Sequence, residues 1–155
     1  MSNLTPIHIK DRLIKFVVYG SPKVQKNDLV IMKRSKRGGG TTRMIGHSGK
    51  MKGIRDIFTF EVYKQYINQG YKDPIDYFIN IGMVFYTNKS SEPDLDNLIA
   101  LPLDAMEGVK HKGGLKVAQV LKNDKLVRKI TARKIVKGDI EYNGEPRTEI
   151  EISPY

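Results

Sequence analysis

One stretch restricts the fold more than any other. Behind Pro74, from Ile75 to Tyr86, the side chains Tyr77, Ile79, Ile81, Met83 and Phe85 alternate with Asp76, Asn80 and Gly82. Successive strand side chains leave opposite faces, so this alternation predicts a long strand with one apolar face. That face needs a second layer to cover it. Two segments of helical spacing can supply the cover. The first is Ile54 to Asn68, with Ile57, Phe58, Phe60, Val62, Tyr66 and Ile67 as apolar positions and Gly70 as its stop. The second runs from Asp94 or Asp96 to Glu107, with Leu95, Leu98, Ile99, Leu103 and Met106 inside and Gly108 at its end. Pro102 is expected to kink it. Further strands are read at Leu13–Tyr19, Val117–Leu121, Leu126–Val136 and around Thr148–Ile152, with 109–116 as a loop and a turn from Gly138 to Gly144. The expectation is one α+β domain over 1–155, two helices on one face of a mixed, mainly antiparallel sheet.

Charge is distributed unevenly. The chain holds 27 Lys/Arg against 17 Asp/Glu, a formal charge of +10. Residues 1–60 contain 13 Lys/Arg and only Asp11, Asp28 and Asp56, so the whole excess lies there. A surplus concentrated in this way points to a polyanionic partner, because bound phosphates release condensed counterions. The alternative is a solvated basic loop. Residues 23–55 read as a long loop, or a loop with a flexible hairpin, around Gly38-Gly39-Gly40. Its candidate DNA contacts are Lys23, Lys26, Lys33, Arg34, Lys36, Arg37, Arg43, Lys50 and Lys52. No run of roughly 20 apolar residues suits a membrane span, and Met1-Ser2-Asn3-Leu4-Thr5-Pro6 lacks the layout of a secretion signal. A cytoplasmic protein is therefore expected. With no cysteine, disulfides and thiolate metal sites are excluded. His8, His47 and His111 show no zinc spacing. Gly46-His47-Ser48-Gly49-Lys50-Met51 lacks the serine or threonine and the earlier glycine of a phosphate loop. Tyr63, Tyr66 and Tyr71 are read as core, with stacking on unpaired bases as the alternative.

The chemistry concentrates in Glu92-Pro93-Asp94-Leu95-Asp96-Asn97-Leu98. Asp94 and Asp96 are two apart, so on an extended chain their carboxylates share a face and repel unless a cation lies between them. Mg²⁺ is held this way, through one or two carboxylates, water and substrate phosphate oxygens. The same residues also make a good helix entrance, with Asp94 or Asp96 as N-cap. Asp124, read as opening a strand beside them, is a third carboxylate. Asp104, two helical turns beyond Asp96, is a peripheral anchor.

These residues carry a resemblance. Pro93-Asp94-Leu95-Asp96-Asn97-Leu98, then Leu103-Asp104-Ala105-Met106 and Gly108, then Asn123-Asp124 ahead of Val127, resemble the signature of the RusA family of Holliday junction resolvases. The resemblance extends through the order of elements over residues 13–152. It implies a homodimeric α+β endodeoxyribonuclease that uses Mg²⁺ or Mn²⁺ to cut four-way DNA junctions in recombination and repair, with phage proteins among its members. It implies Asp94, Asp96 and Asp124 as catalytic metal ligands, Asn97 as a brace for their turn, and no small-molecule cofactor. Two departures bear on activity. Ala100 stands where the family motif usually has a lysine, which implies either a weaker enzyme or a substitute such as Lys89, Lys110 or Lys112, and Asn123 replaces a common acidic neighbour. The rival expectation is a junction-binding module with little or no cleavage.

Overall fold

Strand pairing decides where each carboxylate ends up. The computed structural model describes residues 12–24, 29–35, 38–47, 49–88 and 93–155. The main sheet holds four strands in the order β1 (Ile14–Tyr19), β8 (Arg147–Pro154), β4 (Ile79–Thr87) and β7 (Val127–Val136). β8 runs antiparallel to both neighbours, while β4 and β7 are parallel. The sheet is thus mixed and mainly antiparallel, and the fold is α+β as expected. The predicted strand at Ile75 is shorter. Ile75 makes only an isolated bridge to Leu121, and β4 begins at Ile79.

Two helices cover the sheet. α1 (Gly49–Asn68) starts five residues before the expected Ile54, and α2 (Leu95–Met106) runs through the buried Pro102. Their apolar faces meet the alternating strand residues in one core that includes Phe16, Ile79, Ile81, Met83, Phe85, Ile150 and Ile152 from the sheet and Phe58, Val62, Tyr66, Leu98 and Met106 from the helices. Ile57 does not join it; the core face of α1 follows Phe58, Val62 and Tyr66 at four-residue spacing, which leaves Ile57 turned aside and 73% exposed. Phe60 and Ile67 are exposed as well. Tyr66 and Tyr71 are buried and stacked, with ring centroids 4.9 Å apart, and Tyr63 packs against the same cluster. The core reading of these tyrosines holds.

The edges of the sheet are treated differently. At β1, Gln65 donates to the Val17 carbonyl at 2.8 Å and accepts from the Val17 N–H at 2.9 Å, and Gln69 donates to the Lys15 carbonyl at 2.8 Å. These amides satisfy backbone groups that an edge strand would otherwise present to another chain. The basic segment folds into a hairpin separate from the main sheet, β2 (Leu29–Ser35) against β3 (Thr41–His47), so only part of 23–55 is loop. The expected loop at 109–116 contains a small hairpin, β5 (Val109–Lys110) with β6 (Lys116–Val117), and the longer strand read at Val117–Leu121 is absent. None of the described helices is long and apolar enough to cross a membrane.

Candidate functional site

The acidic turn lies between β4 and α2. Asp94 occupies the N-cap position in extended conformation (φ −61°, ψ 150°), and its carbonyl accepts from the N–H groups of Asn97 (3.1 Å) and Leu98 (3.3 Å). Its carboxylate makes no capping hydrogen bond. The sequence leaves open whether this aspartate caps the helix or holds a cation. It has the position of a cap and does not use its side chain as one. Asp96 follows in the first turn. Both side chains are exposed and have no partner among the described residues. Beside them the Asn97 Oδ1 is buried with no hydrogen-bond donor among the described residues. A buried acceptor left unsatisfied costs free energy unless water or a ligand completes it. Carboxylate and amide oxygens are the ligand types a hard divalent cation takes, and three residues that carry them follow within four positions of this turn.

Asp124 lies elsewhere. The chain leaves the end of β4 at Thr87, enters α2, and returns along it to begin β7 beside the start of β4, with Val127 paired to Ile79. A parallel pair requires such a crossover, so residues at the head of the helix and at the foot of the second strand sit at opposite ends of the unit. Contrary to the sequence expectation, Asp124 does not open the strand; it opens a single 3₁₀ turn, Asp124–Leu126, where the Asn123 side chain accepts from the Lys125 N–H at 2.8 Å. Glu107, the C-cap of α2, accepts from the Asp124 N–H at 2.6 Å. From Asp96 to Glu107 the helix advances about 16 Å at 1.5 Å per residue. Among the described residues no three His, Asp or Glu side chains gather as a metal site. Within one chain Asp94 and Asp96 both stand at the head of α2, and Asp124 lies at its far end.

At that far end Glu107 is held twice, while the buried Arg55 Nε has no acceptor among the described residues. Glu107 also accepts from the Lys116 ammonium at 3.0 Å. Burial pushes the Glu107 carboxyl upward, but the Asp124 N–H and Lys116 outweigh it and hold the group below the usual glutamate range. Arg55, Asp104, Glu107, Gly108, Lys110 and Lys116 line a polar cleft of about 250 Å³ here. Asp104 thus belongs to this cleft, as does Lys110, one of the expected lysine substitutes. Lys112 is exposed in the turn of the β5–β6 hairpin. Lys89, Glu92 and His8 lie outside the described residues.

Sequence reasoning misses the cation at the acidic turn. Lys134 of β7 is half-buried and donates from Nζ to the Pro93 carbonyl oxygen at 3.1 Å. Nothing in the local pattern distinguishes it from Lys129 or Arg133 on the same strand; only the β4–β7 register carries it there. Glu107 reads in the sequence merely as the end of a helix.

The basic region is a hairpin followed directly by a helix. Register pairs Lys33 with Arg43 and Arg34 with Thr42, placing two basic positions on one rung. α1 opens with no acidic residue in its first turn, whereas Lys50 and Lys52 are exposed there. Positive charge at a helix N-terminus opposes the helix dipole and favours an anionic partner. Lys23 is exposed before the hairpin, and Lys26, Lys36 and Arg37 lie outside the described residues.

No curated protein matches the chain. The family model of endodeoxyribonuclease RusA matches residues 33–153, from the basic hairpin through the acidic turn and Asp124 to the last strand. The chain belongs to the RusA endodeoxyribonuclease family.

Proposed function

We propose that the protein is a divalent-metal-dependent endonuclease that resolves four-way DNA junctions as a homodimer, in recombination or repair. The observation that carries this reading is the pair of unpartnered carboxylates, Asp94 and Asp96, at a helix entrance beside a buried, unsatisfied amide oxygen. Lys23, Lys50, Lys52 and the β2–β3 hairpin with Lys33, Arg34 and Arg43 grip backbone phosphates, which positions DNA without reading its sequence. Lys26, Lys36 and Arg37 are assigned the same role from the sequence alone. Asp94 and Asp96 hold Mg²⁺ or Mn²⁺, with Asn97 fixing their turn. When bound, the cation polarises the phosphodiester and eases the ionisation of water. Asp94 and Asp96 would hold that cation at the head of α2, where the basic surface would deliver a phosphate.

Asp124 enters this reading from a second protomer. Within one chain the length of α2 separates it from Asp94 and Asp96, so a site using all three joins the head of one α2 to the tail of its partner's. A two-fold dimer makes two such sites, matching the paired nicks that symmetric resolution requires. Glu107 then acts as a positioning residue, holding Asp124 by its backbone.

Mixing tests both statements. Asp94→Asn and Asp124→Asn proteins, each inactive alone on a synthetic four-way junction with Mg²⁺, are expected to nick it when co-refolded, because a mixed dimer then has one intact composite site. If each site were built within one chain, every site of that mixed dimer would carry one lesion and stay silent. Binding by the wild type with no incision in Mg²⁺ or Mn²⁺ would instead support the non-catalytic junction-binding module, which Ala100 at the lysine position favours.

A further inference from the structure

The head of α2 has no positive charge of its own. The helix reads Leu-Asp-Asn-Leu-Ile-Ala-Leu-Pro-Leu-Asp-Ala-Met, with two aspartates and no lysine or arginine. A phosphate approaching Asp94 and Asp96 meets two negative side chains, and repulsion must be offset locally. A neighbouring strand places a cation there. The carbonyl oxygen that accepts from Lys134 belongs to the peptide joining Pro93 to Asp94, so the ammonium lies one peptide from the first carboxylate.

The strand pattern explains why Lys134 takes this place and its neighbour does not. Ala132, two residues earlier, packs against the core on the helix-covered face, and Lys134 shares that face by period 2. Arg133 lies on the opposite face, where it pairs with Glu141 at 2.8 Å. Parallel register with β4 sets Lys134 opposite Phe85, near the strand end from which the acidic turn departs. No carboxylate pairs with Lys134 among the described residues. An ammonium carries three donors, and one neutral carbonyl uses only one of them. A half-buried lysine with no anion has lost hydration without full compensation, a state that an arriving phosphate relieves.

We propose that Lys134 is the phosphate-binding cation of the acidic turn, in contact with the scissile phosphate while Asp94 and Asp96 face it from the other side. The proposal rests on the nuclease reading, from which it takes the delivery of a phosphate to this turn.

The test measures binding in EDTA, so its readout depends on neither metal nor turnover. Wild-type cleavage of an end-labelled four-way junction first maps the scissile linkage, and a methylphosphonate then removes the charge of that phosphate alone. Lys134→Gln keeps a donor for the Pro93 carbonyl and loses the charge; Lys134→Arg keeps both. Wild type and Lys134→Arg are expected to bind the neutral linkage about tenfold more weakly than the native junction, the strength of one charged hydrogen bond. Lys134→Gln is expected to bind the two junctions equally, because a direct contact removed from either side is lost only once. Its single-turnover cleavage of the native junction should fall about 100-fold, with thermal unfolding unchanged within a few degrees. A Lys134→Gln protein that still discriminates tenfold overturns the assignment and leaves Lys134 as a fastener of the turn. Should that variant not fold, a Lys134→Arg protein that fails to discriminate overturns it equally. A wild type that cuts nothing defeats the nuclease reading and this proposal together, whereas a cutting wild type with a discriminating glutamine variant defeats the proposal alone.

Discussion

The two ends of α2 carry acidic residues of opposite character. At the head, among the described residues, Asp94 and Asp96 are exposed and unpaired, the Asn97 Oδ1 is buried without a donor, and Lys134 meets only a carbonyl. At the tail, Glu107 is bound to both Lys116 and the Asp124 backbone, and Asn123 ties the next turn. At the tail folding pairs Glu107 twice, although the Arg55 Nε in the same cleft is buried without an acceptor among the described residues; at the head both carboxylates and the amide oxygen keep capacity to spare. Unsatisfied capacity in a turn held by a rigid helix and strand is where a ligand adds most stabilisation, because the protein itself supplies no competing partner. The paired end preserves geometry, with Glu107 holding the Asp124 backbone in place.

The sharpest way to break this contrast is to remove one charge at the head. Asp96→Asn is expected to lower junction cleavage at least about 1000-fold, several kcal/mol of transition-state stabilisation, without weakening junction binding, since a negative charge near DNA has gone. Thermal unfolding should barely change, because the carboxylate has no partner among the described residues to lose. A marked loss of stability would mean that the fold depends on the head of α2 as much as on the tail.

At the tail the largest effect falls on stability. Gly108 has φ +84°, and a Cβ there would collide with the Val117 carbonyl oxygen and approach the Gln119 side chain to 2.8 Å. Both the left-handed backbone and the clash disfavour any side chain, so Gly108→Ala should cost about 3 kcal/mol in urea unfolding. Glu107→Ala should cost less, about 1–2 kcal/mol for its charged hydrogen bonds, and lower cleavage about tenfold by loosening Asp124. Glu107→Gln retains an acceptor for the Asp124 N–H and should recover most of the cleavage. Equal cleavage by Glu107→Ala and wild type would show that Asp124 needs no such support.

The sequence makes some of this visible and conceals the rest for identifiable reasons. The alternation Ile79, Ile81, Met83, Phe85 locates the central strand because one of its faces is buried and the other is not. The acidic turn is legible because its residues are contiguous. Asp124 is legible as a residue and misplaced in space: proximity is inferred from a strand lying beside the turn, but a parallel crossover sets the start of that strand at the opposite end. Lys134 is invisible because its position follows from pairing between strands some 50 residues apart in sequence, and local periodicity carries no register. Ile57 misleads for a related reason, since a helix with many apolar residues does not by itself declare which stripe faces inward.

The smallest expected effect probes what holds the tail upright. Tyr66 is buried beneath the segment that leads into Ile75, and its hydroxyl donates to the Asp73 carbonyl at 2.7 Å. Ile75 in turn exchanges hydrogen bonds with Val120 and Lys122 in the chain approaching Asp124. Burial above all, and then the neighbouring Tyr77, Tyr71 and Asp73, raise the Tyr66 pKa well above its ordinary value of 10.0. A raised folded-state pKa means that the unfolded chain releases this proton first. The stability it contributes is therefore complete below the ordinary tyrosine value and drains away as pH rises from there toward the folded one. Tyr66→Phe removes both the hydrogen bond and the titration. Near neutral pH it should cost about 1 kcal/mol, and the gap from wild type should narrow as the solution is made alkaline, read by urea unfolding at a series of pH values. A gap that stays constant across the alkaline range would mean that Tyr66 ionises as readily in the folded protein as in the unfolded chain, and that the tail of α2 does not rest on a dry core.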